Sequence, residues 1–510
     1  MNALELGLLL SRIQAVCDEM GATLRRTAFS PNIKDRLDFS CAVFSTRGEL
    51  CAQAAHIPVH LGSMAYAMRD IVAGSDWDEG DMVIVNDPYL GGTHLPDVTL
   101  IAPVFVAGRR VAFVANRAHH ADIGCARPGS MPLSRTLAEE GMVIAPAKLL
   151  VRGGMNPVML ETLERGLRNP RATLGDFSAQ ISANRVGVER LAAVCAALGT
   201  SAFAAALAGV NDYAETLSRK ALAQIPAGVY RHTDYMDGDG FDAAAVPISV
   251  SVRVDQGTIE VDFTGTSAEV TGNINCPLSV TAAAVFYVFY CLMPTGTPAC
   301  AGSARPIRIT APAGSLVNAR RPAAVAAGNV ETSQRIVDAL LGALAAALPE
   351  RIPAAACGSM NNLALGGAGW DYYETIGGGT GGHAGGRGLD AVHTHMTNTL
   401  NTPIEVLESN FPLRIRAYGV RGDSGGAGRH RGGDGMIREF EFLAPASITL
   451  LTERRSFAPW GAAGGGPGAR GLNVLNGRTL PPKAEVEVET GDRLRLMTPG
   501  GGGWGSADYP

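Results

Sequence analysis

The chain has 510 residues, a net charge of −5, and 46% hydrophobic against 18% charged residues. That length exceeds a usual single core, so two to four domains or one elaborate multi-layer unit are expected; the mildly acidic balance, with no basic stripe, argues against a nucleic-acid partner. Nine cysteines, an odd number with no Cys-x-x-Cys among them, argue against a disulfide framework or zinc ribbon and read as reduced thiols of a cytoplasmic protein.

The opening Met1-Asn2-Ala3-Leu4-Glu5 lacks a basic region followed by a long apolar stretch, so no signal peptide is expected. Residues 3–28 carry Leu4, Leu8, Ile13, Val16, Met20 and Leu24 at helical spacing and predict a long first helix. Segments 38–44 and 49–53 flank Ser45-Thr46-Arg47-Gly48 and predict a hairpin. A helix over 61–74 and a strand over 82–85 follow. Strands 98–106 and 110–115 join across Ala107-Gly108-Arg109. If they pair antiparallel, Asp97 lies opposite about residue 118, and His119 returns to the sheet edge that carries His94 and Asp97.

Residues 158–222 read as helical, with Asp176, Gln180 and Asn184 recurring along one face. Pro226-Ala227-Gly228 ends that region. Alternation then takes over: Ile248, Val250, Val252, Val254, then Ile259, Val261 and Phe263. A buried apolar segment over 278–293 lies within the least charged stretch, Val270 to Ala304, which carries Asn273, Asn275, Pro277, Pro294 and Pro298 and whose purely apolar core is too short and broken to span a bilayer. A strand at 307–310 precedes an Ala/Leu-rich helix reaching Leu348, with Asn329 as a candidate N-cap. Beyond 351 the chain is Gly-rich with short strands such as 447–451 and 485–489. The Gly-x-Gly-x-x-Gly at 377–382 has no βαβ context and reads as a flexible loop. No fixed-period repeat occurs, so propellers and solenoids drop out. The expected fold is α+β, multi-layer and mixed, with a helix-and-hairpin N-terminal part (1–225), a mixed strand/helix part (226–350) and a Gly-rich, β-dominated C-terminal part (351–510).

The chemistry concentrates in 86–97 and 115–122, which hold His94, His119, His120, Asp87, Asp97 and Asp122 between apolar runs. Imidazole and carboxylate together suit a borderline divalent ion, Zn, Mn or Fe, where oxygen alone would favour Mg or Ca. His94 and Asp97 stand three apart across Leu95-Pro96, His119 returns from the hairpin, and Asp38 at the mouth of the earlier hairpin is a fourth candidate. The same residues would also serve as turn caps, and the pattern alone leaves both readings open. Asp87, His120 and Asp122 read as groups that orient the ligands. Glu139 and Glu140 are candidate general bases or plain turn carboxylates. His393 and His395 would share a face if they lie on a strand; polar site lining is favoured over a second ligand pair, because no carboxylate in the sequence is nearer than Asp390. Cys125 reads as a packed thiol. No Gly-x4-Gly-Lys-Ser/Thr marks a nucleotide site.

Asn86-Asp87-Pro88-Tyr89, Gly91-Gly92-Thr93-His94-Leu95-Pro96-Asp97 and His119-His120-Ala121-Asp122-Ile123-Gly124 closely resemble the hydantoinase B/oxoprolinase family. So do Gly328-Asn329-Val330-Glu331-Thr332-Ser333-Gln334, Val392-His393-Thr394-His395-Met396-Thr397-Asn398-Thr399, Gly432-Gly433-Asp434-Gly435 and the final Thr498-Pro499-Gly500-Gly501-Gly502-Gly503-Trp504-Gly505. The resemblance runs over essentially the whole chain in the family's order. It implies the B-type subunit of an ATP-dependent hydrolase of small cyclic amides (hydantoinase, 5-oxoprolinase or lactamase type). An A-type partner would bind ATP and activate the substrate by phosphorylation, in a hetero-oligomer such as α2β2. It also implies one divalent metal, carried over onto His94, Asp97 and His119 with Asp38, and it offers Asn329, Glu331, His393, His395 and Asn398 as substrate-binding or site-lining groups. The metal-bearing subunit of an acetone-type carboxylase ranks second, since the length fits the compact hydrolase subunit better. A catalytically inactive scaffold is the non-enzyme alternative.

Overall fold

The computed structural model describes residues 3–507 apart from Ala55 and Ala243; the reading of Met1-Asn2 as lacking a leader lies outside the described residues. The fold is α+β. Its N-terminal part is a seven-stranded antiparallel sheet in the order Leu50–Gln53, Phe39–Ser45, Arg109–His119, Asp97–Val106, Met82–Val85, Ala147–Val151, Gly154–Met155. The strands read as continuous apolar runs because both faces are covered. Val83 and Val85 pack with Phe44, Met64, Met68 and Phe113 on one face. Met82 and Ile84 pack with Val98, Leu100, Ile13 and Leu191 on the other. Period-two alternation sends successive side chains to opposite sides, so a sheet buried twice needs apolar residues at nearly every position.

Helix Ala3–Thr27 lies against helix Pro170–Leu198 on one face, and helix Pro58–Ala73 covers the other. The polar stripe of the long helix pins it to the sheet. Gln180 Nε2 donates to Asn116 Oδ1 (2.8 Å) and Val98 O (3.0 Å), Asn116 Nδ2 donates to Asn184 Oδ1 (2.8 Å), and Asn184 Nδ2 donates to Leu100 O (3.1 Å). Asp176 Oδ1 accepts from the amides of Phe29 (2.7 Å) and Ser30 (3.1 Å). These buried amides satisfy one another.

Strands Gly228–Met236, Val246–Asp255, Thr258–Asp262 and Ile307–Thr310 form a second sheet, the last two paired in parallel. Helices Leu278–Cys291 and Ser333–Ala345 pack on each other, and the second of them covers this sheet. The expected N-cap is corrected here. Asn329 sits inside a π-helical turn, Gly328–Thr332, that runs straight into Ser333–Ala345, so no helix starts at it. Gly328 has to be glycine: a Cβ there would lie 1.8 Å from Asn275 O.

The C-terminal part holds a four-stranded and a five-stranded sheet and a layer built of glycine backbone. The segment 377–382, read as a flexible loop, is instead tightly packed. Gly379 donates to Pro499 O (3.1 Å) and Gly382 to Gly502 O (2.8 Å), and a Cβ on Gly379 would lie 1.9 Å from Gly433 O. The glycines serve close approach of neighbouring backbones rather than mobility. Among the described residues no single helix is long and apolar enough to cross a membrane.

Candidate metal centre

The ligand loop is built by clamps on either side. Asn86, leaving strand Met82–Val85, donates to Leu95 O and Met142 O (both 2.9 Å) and accepts from Ile144 N (2.6 Å). Asp87 caps the turn Pro88–Leu90 through Tyr89 N (3.0 Å) and pairs with Arg321. The chain then re-enters the sheet at Asp97. The hairpin sets Asp97 opposite His119, and the neighbouring strand sets Phe39 opposite Ala118, with His119 N donating to Asp38 O (3.0 Å).

The result is one buried cluster. His94 Nε2 stands 3.2 Å from Asp97 Oδ1, His119 Nδ1 stands 3.1 Å from the same oxygen, and the two ring nitrogens are 3.2 Å apart. His94 Nδ1 faces Ala326 O at 3.2 Å, which fixes its proton there and turns the Nε2 lone pair inward. Three ligand atoms, all on buried residues, lie within 4.8 Å of one another. With ligand bonds of about 2.0–2.2 Å, three donors around one ion stand roughly 3.0–3.4 Å apart. The residues fit a divalent ion.

His60 is the residue that sequence reasoning missed. Its Nε2 lies 3.2 Å from Asp97 Oδ2 and 3.9 Å from Asp38 Oδ1. It stands in the first turn of helix Pro58–Ala73, and His56, four residues earlier, lies outside that helix and accepts from Cys41 N instead. Asp38 lines the same cavity, also faces Arg36 at 3.7 Å, and stands outside the tight three-residue group. Thr93 donates to Asp97 Oδ2, and Asn329 Nδ2 approaches that oxygen at 3.4 Å. The ring of Tyr373 stacks on His119 at 4.4 Å and 16°, and its hydroxyl donates to Asn362 Oδ1 (2.6 Å). Ile57, Val59, Met360 and Met396 complete the wall of a cavity of about 20 Å³, room for one ion or water.

Burial opposes the charge on Asp97, but His94, His60 and His119 together hold its carboxyl well below the usual range. Burial likewise opposes a charge on His94, where Asp97 prevails and raises its pKa; on His119 burial prevails and lowers it. Glu140 is fully buried, and desolvation pushes it up to about 7 although it accepts from Val325 N (2.8 Å), Ala326 N (2.9 Å) and Ser134 Oγ (2.9 Å). It therefore braces the carbonyl that holds His94.

Several candidates lie elsewhere. His120 points to the opposite face, bonded to Gln180 Oε1 (3.0 Å) and tilted against the ring of Phe177. Asp122 caps Gly124 N (2.9 Å) and Asn169 N (2.6 Å), and Asp87 is a cap and ion-pair partner. None of the three contacts the ligand atoms. Glu139 caps its own turn through Arg135 N and Thr136 Oγ1, and Cys125 is a buried thiol pushed up to about 11 by desolvation. His393 and His395 share no strand face: His395 has φ +55°, faces Tyr287 Oη at 3.4 Å and Asp338 Oδ1 at 3.8 Å, while His393 faces Thr399 Oγ1 at 3.4 Å. Burial pushes both rings down to about 4. Asn398 is exposed. Glu331, pushed up to about 8 by burial and the nearby Glu453, accepts from Met360 N (3.0 Å) and Asn362 Nδ2 (2.7 Å) behind Tyr373.

Comparison with known proteins agrees with the resemblance. The chain is 41% identical to an uncharacterized protein of Methanocaldococcus jannaschii, over 99% of this chain and 91% of that one. It is 40% identical to 5-oxoprolinase 1 of Arabidopsis thaliana over 99% of its own length but only 42% of the plant protein's, so it spans about two-fifths of such relatives. It is 33% identical to the B-type subunit of a putative D-/L-hydantoinase from a Pseudomonas species, over 98% and 89% of the two chains. Among solved structures, the ATP-dependent caprolactamase of Pseudomonas jessenii superposes with a TM-score of 0.92 at 27% identity, covering 99% of this chain and 91% of that one. An acetone carboxylase chain shares the fold, with a TM-score of 0.88 at 18% identity over 99% and 76%. The profile of the hydantoinase B/oxoprolinase family matches residues 2–507, and this chain belongs to that family.

Proposed function

We propose that this chain is the B-type, metal-bearing subunit of an ATP-dependent hydrolase of cyclic amides, working with an A-type partner that activates the ring by phosphorylation. The observation that carries the reading is the convergence of His94 Nε2, Asp97 Oδ1 and His119 Nδ1 on one buried point. His94, Asp97 and His119 would hold a divalent ion, Zn, Mn or Fe by donor type, with Asp38 and His60 beside it. When bound, such an ion supplies Lewis-acid polarisation and a water ionised near neutral pH.

The chain's own groups do the rest. Ala326 O fixes the His94 tautomer, and the stacked Tyr373 ring fixes the plane of His119. His60 Nε2 and Thr93 Oγ1 occupy Asp97 Oδ2, leaving Oδ1 to the two imidazoles. Ile57, Val59, Met360 and Met396 keep bulk water away, which strengthens every charge inside. The relatives support the partner: one is named as a subunit of a hydantoinase, and the superposing caprolactamase is ATP-dependent.

The test is co-expression with an A-type subunit, followed by assays of hydantoins, 5-oxoproline and lactams with ATP, with and without bicarbonate. The expected result is ATP-dependent ring opening of at least one cyclic amide without bicarbonate. Turnover that requires bicarbonate would replace this reading with the carboxylase one, and a metal-loaded complex inert on all three classes would overturn it.

A further inference from the structure

Four segments carry the imidazoles and the carboxylate that converge at the metal cavity, and one side chain ties them together. Arg117 precedes His119 by two residues on strand Arg109–His119, so both point to the same face of the sheet. On that face Phe113 and Ala115 pack with Met64 and Met68 of helix Pro58–Ala73. Arg117 Nε donates to Thr99 Oγ1 (2.8 Å), on its cross-strand partner two residues beyond Asp97. Nη2 donates to Gly91 O (3.2 Å), in the loop three residues before His94. Nη1 donates to Ser63 Oγ (2.6 Å), three residues beyond His60 on the helix. The Ser63 hydroxyl donates in turn to Val59 O (2.8 Å), with His60 O 3.1 Å away.

Resting on the metal centre proposed above, we propose that Arg117 is its positioning residue, which holds the segments of His94, Asp97, His119 and His60 at one spacing before the ion arrives. The side chain is buried, and its partners are two hydroxyls and a carbonyl. Among the described residues no carboxylate pairs with it, whereas the likewise buried Arg335, Arg438 and Arg454 each meet one. A desolvated cation without a counterion is costly, and for packing alone a neutral side chain would serve better. What a guanidinium adds is a planar fork of five N–H donors with fixed directions. Here the fork bonds three segments, and the strand that bears Arg117 carries the fourth. The charge itself works against a divalent ion, since repulsion between like charges is strongest in a buried site. A role through geometry and a role through charge therefore predict opposite changes in metal affinity.

The experiment titrates Co²⁺ into the full chain and reads the visible absorption of the bound ion, alongside urea unfolding, in the parent, Arg117→Met and Arg117→Lys. Lysine keeps the charge and loses the fork. Both variants are expected to bind Co²⁺ roughly 10–100-fold more weakly, the range for groups that orient a ligand, with an altered absorption band. Ser63→Ala and Thr99→Val each cut one arm and are expected to weaken binding roughly three- to tenfold, the equivalent of one hydrogen bond. Parent affinity and an unchanged band in Arg117→Met, with stability alone reduced, would overturn the proposal and make Arg117 part of the scaffold. Tighter binding in Arg117→Met with parent affinity in Arg117→Lys would overturn it in favour of the charge. Should Arg117→Met fail to fold, Arg117→Lys and Ser63→Ala decide, and parent affinity in both overturns the proposal. A parent chain that takes up no ion would overturn the metal reading and this one with it. Uptake by the parent with unchanged affinity in every variant would overturn this one alone.

Discussion

Among the places where the molecule buries ionisable groups, two are treated in opposite ways. Between the second sheet and the C-terminal part, Arg335, Arg454 and Lys483 meet Asp234, Asp338 and Glu453. Arg454 Nη2 lies 2.8 Å from Asp234 Oδ2, Arg335 Nη2 lies 3.2 Å from Glu453 Oε2, and Lys483 Nζ lies 2.5 Å from Glu453 Oε1. Three cations answer three carboxylates, the arrangement that makes burial of charge tolerable. At the metal cavity the same accounting fails. Asp97 Oδ1 and two imidazole nitrogens point at one another, with one tautomer already fixed by Ala326 O. The donors of the cavity converge on one point, whereas each carboxylate of the scaffold meets a cation. Charge density is common to both regions, and the direction of the lone pairs separates site from scaffold.

The largest expected effect tests that separation. Asp97→Ala or His94→Ala should reduce metal content to background by elemental analysis and abolish ring opening with the partner, while circular dichroism and thermal midpoint stay near those of the parent chain. Full metal occupancy in either variant would place the ion elsewhere. Next in size is the opposite pattern in the scaffold. Arg454→Met leaves Asp234 and Asp338 buried without their guanidinium and should cost roughly 3–5 kcal/mol in urea unfolding. Metal bound per folded chain should not change. A variant that keeps its stability but loses metal would erase the distinction between the regions.

Glu140 stands between the two cases: a buried carboxylate with backbone donors and no cation at hand. Its folded pKa, pushed up to about 7, lies above the ordinary carboxyl value. The folded chain therefore holds that proton more tightly than the unfolded one. The contribution is fully present below the unfolded value and is lost as pH rises toward 7. Glu140→Gln keeps an oxygen for Val325 N and Ala326 N and removes the titration. Its stability relative to the parent should climb by up to a few kcal/mol between pH 5 and pH 8. Unfolding curves at four pH values check this, and a constant difference across them would mean that Glu140 titrates normally.

Much of the site could be read from the chain because it sits on a hairpin. A turn at Ala107-Gly108 fixes the register, and register places Asp97 against His119. What escaped were contacts made across the fold. His60 reaches Asp97 from a helix on the far face of the sheet, and Tyr373 reaches His119 from a strand more than two hundred residues away. No local pattern encodes either. His120 was misplaced for a local reason: strand alternation turns it away from His119, toward Gln180. The glycine excess reads from composition as tight turns and close backbone contacts, and the structure agrees; only the run at 377–382 differs from its reading as a flexible loop, because the neighbouring backbones leave Gly379 and Gly433 no space for a Cβ.

The smallest expected effect concerns what orients His119. Its Nε2 is buried without a partner, so no second hydrogen bond of the kind that usually fixes a ligating imidazole is available on that side. The ring of Tyr373 takes that role by stacking, and its hydroxyl is engaged with Asn362 instead. The two contributions can be separated. Tyr373→Phe removes one buried hydrogen bond, keeps the stacked face, and should cost about 1–2 kcal/mol of stability with metal affinity within about threefold of the parent. Tyr373→Leu keeps apolar bulk but loses the plane, and should weaken metal binding roughly 10–100-fold, the range for groups that orient a ligand. Metal titrations on the two variants decide the matter: equal weakening in both would assign the orientation to the hydroxyl network through Asn362 and Glu331, and none in either would leave Asp97 and the backbone register as the elements that hold His119 in place.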